Sequence, residues 1–127
     1  MTSKENSINW FEISVLDTNR ATKFYETIFE ITMEKQSMMG MEMAFFPAEP
    51  GSGKANGGLV QSPNHKPSAD GVKLYLNANP DMSQVFSSVE KAGGKVTMPK
   101  MKISDEIGYM AFFMDTEGNS IGLHSQK

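Results

Sequence analysis

The chain has 127 residues, eleven Met, one Trp and no Cys, and its 12 Lys and Arg against 15 Asp and Glu give a net charge of −3. Length alone suits one domain spanning 1–127. The missing Cys excludes a disulfide framework, a thiolate zinc site and a Cys nucleophile. The mild acidity argues against a nucleic-acid partner. No apolar run reaches the ~18–20 residues of a membrane span, and the polar start Met1–Ser7 lacks a leader's apolar core, so no membrane partner and a cytoplasmic location are expected.

In chain order, Ile8–Val15 reads as a strand with Phe11, Ile13 and Val15 on one face and Trp10, Glu12 and Ser14 on the other. Asp17-Thr18-Asn19 offers helix caps. Ala21, Phe24, Tyr25, Ile28 and Phe29 then form one helical stripe. Residues 32–61 are strand-like with interruptions: Met41–Phe46 is the clearest run, 47–56 a Pro- and Gly-bearing loop, and Gly57–Gln61 a short strand. Ser62–Gly71, with two Pro, reads as a linker.

After the linker the order restarts. Val72–Ala78 alternates, with Leu74, Leu76 and Ala78 against Lys73, Tyr75 and Asn77. Asn79-Pro80 is expected to cap and open a second helix carrying Met82, Val85, Phe86, Val89 and Ala92, which Gly93-Gly94 ends. Lys95–Lys102 and Gly108–Met114 read as strands, Asp115–Asn119 as a turn, and Ser120–His124 as the last strand.

The two halves therefore match element by element, and Met43-Ala-Phe-Phe46 recurs 67 residues later as Met110-Ala-Phe-Phe113. The expected architecture is α+β: two βαβββ modules in tandem (module one 7–61, linker 62–71, module two 72–126), forming a curved mixed sheet around a cavity. Each helix covers one face of its module's strands. The cavity is expected on the polar faces, with Trp10, Glu12 and Ser14 from one module and Lys73, Tyr75 and Asn77 from the other. Met38, Met39, Met41 and Met43 could add an adaptable apolar wall.

These features resemble the vicinal oxygen chelate superfamily, which includes glyoxalase I, bleomycin-resistance proteins and extradiol dioxygenases. The resemblance covers nearly the whole chain. It rests on Val15-Leu-Asp17 followed by Ala21-x-x-Phe24-Tyr25, on Gly93-Gly94, and on Asp115-Thr-Glu-Gly118-Asn119-Ser-Ile-Gly-Leu123, taken in that order. It implies paired βαβββ modules and a homodimer. It also implies metal ligands on the first and last strands of each module. Here those positions carry Trp10, Lys73, Gly122 and a residue among Gly58–Val60, with Gln61 one residue away. Trp and Lys are poor ligands and Gly has no side chain, so no metal and no cofactor are expected.

Of the remaining polar residues, Trp10, Glu12, Lys73, Tyr75 and Asn77 are the ligand-binding candidates. Trp10 offers a stacking surface, Lys73 a cation, and Tyr75 and Asn77 hydrogen-bonding groups. Glu12, Lys73 and His124 are the catalytic candidates: a carboxylate and a cation can serve as base and electrophile in proton abstraction beside a carbonyl. Glu12 could instead pair with Lys73. His65, in the linker, reads as a surface residue. Two lookalikes fail on residue identity. Gly51-Ser-Gly-Lys54 lacks the opening Gly and closing Ser/Thr of a phosphate loop, and Asp115-x-Glu117-x-Asn119 lacks the Gly and final Glu of a calcium loop. Two readings follow: a metal-independent protein binding a small molecule between its modules, or a glyoxalase-like lyase or isomerase with a nonstandard site.

Overall fold

The computed structural model describes all 127 residues. Strand β1 (Trp10–Ser14) leads into helix α1 (Thr18–Phe29), followed by β2 (Glu34–Met38), β3 (Met41–Phe45) and β4 (Asn56–Gln61). The pattern then repeats with β5 (Tyr75–Asn77), α2 (Ser83–Ser88), β6 (Lys95–Ser104), β7 (Gly108–Met114) and β8 (Ser120–Ser125). The strands form two mixed four-stranded sheets, ordered β1-β4-β3-β2 and β5-β8-β7-β6. In each, the first strand runs parallel to the last and the other pairings are antiparallel. The expected α+β pair of βαβββ modules is thus the observed fold. No helix is long and apolar enough to cross a membrane.

Local chemistry explains α1. Asp17 is extended (φ −140°) and its carboxylate accepts the Arg20 N–H, satisfying one free donor of the first turn. The stripe Ala21, Phe24, Tyr25 and Ile28 is buried. Its apolar face meets Ile13, Val15, Ala44 and Leu59 of the first sheet and joins one continuous core with Val85, Val89, Ala111, Phe113 and Leu123 of the second module. Phe24 and Tyr25 both stack on Phe113 across the module boundary, with ring centroids 5.7 and 6.5 Å apart. Such aromatic pairs add about 0.5–1.5 kcal/mol beyond their area burial.

The second module departs from its expected boundaries. β5 has only three residues, because Val72 is 96% exposed and Lys73 and Leu74 lie before the strand. α2 starts at Ser83, so Pro80 is not its first residue, and Met82 at the cap position makes no side-chain capping bond. Instead the Asp81 carboxylate accepts the Ser83 N–H and hydroxyl, with Lys100 Nζ 3.0 Å away. Those bonds hold the Asp81 carboxyl well below the usual carboxylate range. Gly93, at φ +105°, supplies the left-handed turn after the helix.

The turn Asp115–Asn119 joins the modules. Asp115 is buried and accepts the Tyr25 hydroxyl at 2.7 Å and the backbone N–H groups of Glu117 and Asn119. Asn119 donates to the Ser14 carbonyl and accepts the Ser68 N–H from the linker. Glu117 accepts the Leu16 and Asp17 N–H groups, a two-point contact from Arg20 and the Thr116 hydroxyl. Burial alone would raise the Glu117 pKa, but these donors outweigh it and bring it down to about 2. The Tyr25 hydroxyl is pushed well up by burial and by the Asp115 charge. The sequence that looked like a failed calcium loop is the clamp between the two modules.

Candidate functional site

A mainly apolar cavity lies between the modules. It has a volume of about 510 Å³, within the range of about 300–1,000 Å³ typical of small-molecule sites. Phe11, Phe29 and Phe46 line it from module one, and Leu74, Tyr75, Leu76 and Asn77 from module two. Phe11 and Phe46 stack at 5.8 Å, and Phe46 stacks on Tyr25 at 5.7 Å, so this wall is continuous with the core. Asn77 Oδ1 accepts the Asn79 N–H, and Tyr75 and Asn77 are the polar residues module two places at the cavity edge.

Of the residues expected to bind ligand, Tyr75 and Asn77 border this cavity and Trp10, Glu12 and Lys73 do not. Lys73 sits before β5 with its ammonium on the Ala69 carbonyl, 2.8 Å away, so it neither pairs with Glu12 nor reaches the cavity. The alternation of residues 72–78 extends beyond the three that pair with β8, so Lys73 lies outside the strand. The Met38–Met43 cluster also stays outside this cavity, and Met39, in the β2–β3 turn, is 89% exposed.

Trp10, Glu12 and Ser14 do share the face of β1 opposite the core, and a smaller cavity of about 180 Å³ beside Glu12 and Ser14 is edged by Lys66, Ser68 and Asp70 of the linker. The linker also brings an unexpected residue here. His65 Nε2 is 2.9 Å from Glu12 Oε1, and His65 Nδ1 is 2.7 Å from Ser62 Oγ. The Trp10 indole N–H donates to Glu12 Oε2 at 3.3 Å, and its ring meets Phe45 edge-on at 5.6 Å. Periodicity could not have found His65, because residues 62–71 have none. The nearest signal is that Ser62 and His65 are three residues apart in a Pro-flanked stretch, a spacing that a single turn closes. His124 lies on the corresponding face of the second sheet, opposite Asn77, and bonds the Ile107 carbonyl at 2.7 Å, far from this group in topology.

The metal-ligand positions do not fit a metal. In the β5–β8 register Tyr75 stands opposite Gly122, and a Cβ built on Gly122 would lie 2.7 Å from the Tyr75 ring. A ligand-bearing side chain there has no room while the ring stays in place. Opposite Glu12, Gly58 is pressed against the Ala44 carbonyl, 2.6 Å from where its Cβ would be. The Gln61 amide oxygen is taken by the Thr18 N–H and hydroxyl at 2.9 and 2.8 Å. Glu12 and His65 are two donors of the right type, but each is the other's partner, and no third His, Cys, Asp or Glu joins them.

Comparison with known proteins defines the class. The Glyoxalase/Bleomycin resistance protein/Dioxygenase superfamily model matches residues 7–123, and the chain belongs to that family. A glyoxylase-like domain-containing protein from Didymella fabae is 30% identical over 116 residues, covering 89% of this chain and 88% of that protein. A putative glyoxylase from Mycobacterium bovis is 28% identical over 123 residues, 94% of this chain, and the chain spans only 46% of its length. Among solved structures, a glyoxalase/bleomycin resistance protein from Albidiferax ferrireducens has a TM-score of 0.69 at 18% identity, covering 96% of this chain and 100% of that one. A glyoxalase I variant from Zea mays has a TM-score of 0.72 at 19% identity, covering 94% of this chain and 45% of that one. At such identities the structures establish the fold alone.

Proposed function

We propose that this glyoxalase/bleomycin-resistance-like protein binds a small, largely apolar molecule in the cavity between its modules, without the family metal. The observation that carries the reading is the Phe11, Phe29, Phe46, Leu74 and Leu76 wall, with the polar residues Tyr75 and Asn77 at one side. Such a site favours an aromatic or aliphatic body bearing one carbonyl or ether acceptor, since donors left unpaired at an apolar surface are costly. The metal-free part rests on the donor set at Trp10, Lys73, Gly58 and Gly122. The protein acts as a homodimer in this reading. Support comes from Trp10 and Tyr75, large side chains at the starts of β1 and β5 that are 45% and 46% exposed, since aromatic residues are enriched at protein contacts. Sedimentation equilibrium showing only monomer would remove that part.

The binding reading is tested by screening aromatic carbonyl compounds against the full chain and mapping hits by amide NMR. Shifts centred on Phe11, Phe46, Leu74 and Asn77 are expected. Hits that shift only other regions would overturn it.

The second reading is a glyoxalase-like lyase or isomerase that abstracts a proton beside a carbonyl. It is favoured by one observation: the Glu12 carboxylate is held by Trp10 and His65 at the edge of a small cavity, the arrangement a positioned base needs. In this reading Glu12 takes the proton, and Lys73 and His124 play no part. Solvent-deuterium exchange into a 2-oxoaldehyde–thiol adduct, lost in Glu12→Gln, would support it.

A further inference from the structure

We propose that Ser62 is an activated nucleophile, an acyl-transfer site for small esters. An ionised carboxylate only accepts hydrogen bonds. Glu12 Oε1 lies 2.9 Å from His65 Nε2, so Nε2 carries the ring hydrogen. In the neutral imidazole that leaves Nδ1 with a free lone pair. Ser62 Oγ is 2.7 Å from Nδ1 and donates its hydrogen there. Oγ in turn accepts the Asn64 N–H at 3.1 Å. Trp10 Nε1–H donates to the other oxygen of Glu12 at 3.3 Å. Every bond in the chain has one consistent direction, with Glu12 fixing the tautomer that His65 needs in order to accept a proton from serine. This is the logic of a serine–base–acid triad, recognised by geometry and role rather than by sequence order.

Two separate elements build the group. β1 supplies Trp10 and Glu12, and the linker supplies Ser62 and His65, drawn into a turn by the His65 N–H to Ser62 carbonyl bond of 3.2 Å. The His65 and Glu12 side chains are 20% and 34% exposed, open enough for a small substrate and covered enough to keep the pair together. Nothing in the inter-module cavity is used, so the inference stands whether or not that cavity binds a ligand. The proton-abstraction reading shares Glu12 but has no use for Ser62.

The step balances as follows. Ser62 Oγ bonds to the ester carbonyl carbon as its hydrogen passes to His65 Nδ1. The tetrahedral adduct collapses, the carbon–oxygen bond to the alcohol breaks, and the leaving oxygen takes the hydrogen from Nδ1. Water then repeats the sequence on the acyl-serine and restores the hydroxyl. Glu12 and Trp10 are positioning residues.

The test is a fluorophosphonate, which forms a phosphorus–oxygen bond to an activated serine and releases fluoride with the serine hydrogen. The full chain is incubated with it, followed by intact mass over time, and the adduct is mapped by peptide mass. One adduct at Ser62 is expected, well ahead of the chain's other serines. Ser62→Ala abolishes it, and His65→Gln slows it by about 100-fold. Glu12→Gln lowers the maximal labelling rate at least roughly tenfold with the half-saturating concentration unchanged, a split that a merely structural role would not give. Circular dichroism checks that each variant is folded, and the native chain's preference for Ser62 is decisive even if one is not. Labelling spread over many serines, or an unchanged rate in folded His65→Gln, overturns the proposal.

Discussion

Glu12 and Tyr75 occupy equivalent positions in the two modules, each facing a glycine of the last strand, Gly58 or Gly122. The surroundings are opposite in kind. Glu12 sits in a chain of hydrogen bonds with Trp10, His65 and Ser62. Tyr75 lies against Gly122 and meets Phe112 edge-on at 5.2 Å. The repeated backbone thus carries two kinds of surroundings at one position: in module one a carboxylate within a hydrogen-bonded group, and in module two an aromatic ring packed on glycine. A shared fold fixes where a side chain stands. What it does there depends on segments outside the repeat, here the linker that delivers His65.

The comparison assumes that the modules fold as one unit through the Asp115–Asn119 turn, and breaking that turn is the largest effect we expect. Asp115→Ala strands the Tyr25 hydroxyl and two buried N–H groups, at a cost of about 3–5 kcal/mol. Urea unfolding followed by Trp10 fluorescence, which reports module one, and by amide exchange in β7 and β8 should show a single destabilised transition. Two separated transitions would mean that the modules are independent.

Acid tests the same clamp. The Glu117 pKa is lowered from 4.5 to about 2 in the folded protein. Its contribution is therefore complete above pH 4.5, and it is lost as pH falls from there through 2. The upper bound is about 3 kcal/mol. Unfolding free energy against pH should fall over that window, and Glu117→Gln should flatten the slope while lowering stability near neutrality.

The two glycines sharpen the contrast on a smaller scale. Gly122→Ala should cost about 1–3 kcal/mol by overpacking, and Tyr75→Ala in the same chain should relieve it, because the ring is what the new methyl meets. Gly58→Ala should not be relieved by Glu12→Ala, because its obstacle is the Ala44 carbonyl. A double-mutant cycle on thermal stability separates the two. The smallest effect is Tyr75→Phe. It should leave stability within about 0.5 kcal/mol and weaken a carbonyl-bearing ligand several-fold, or about 1 kcal/mol, by calorimetry.

The architecture was legible in the sequence because periodicity reports burial. The Ala21–Ile28 stripe and, from the two Met-Ala-Phe-Phe runs, Ala44, Ala111 and Phe113 are in the core, and Gly93 takes the left-handed turn after α2. The edges of module two were less legible. Lys73 alternates like a strand residue, but nothing in the pattern says how many residues the neighbouring strand will pair. The role of Asp115 and Glu117 was hidden as well, since a turn motif does not reveal which backbone donors another module presents to it. The site was half legible: Tyr75, Asn77, Trp10 and Glu12 carry polar or aromatic groups at regular strand positions. His65 reaches Glu12 across 53 residues of chain through an aperiodic linker, a contact that only the folded chain specifies. Phe11 shares a strand face with Ile13 and Val15 and Phe46 ends a strand run, and nothing in that pattern shows that both also form the cavity wall.

The central claim is a metal-independent binding site between the modules. Its most direct test is a titration of an apolar aromatic fluorophore into chelator-treated protein, repeated with added zinc, nickel or magnesium and with Leu74→Arg, a partly buried cavity residue. One saturable site per chain is expected, unchanged by chelator or metal and lost in Leu74→Arg with the fold checked by circular dichroism. Binding that appears only when a divalent ion is restored would contradict it.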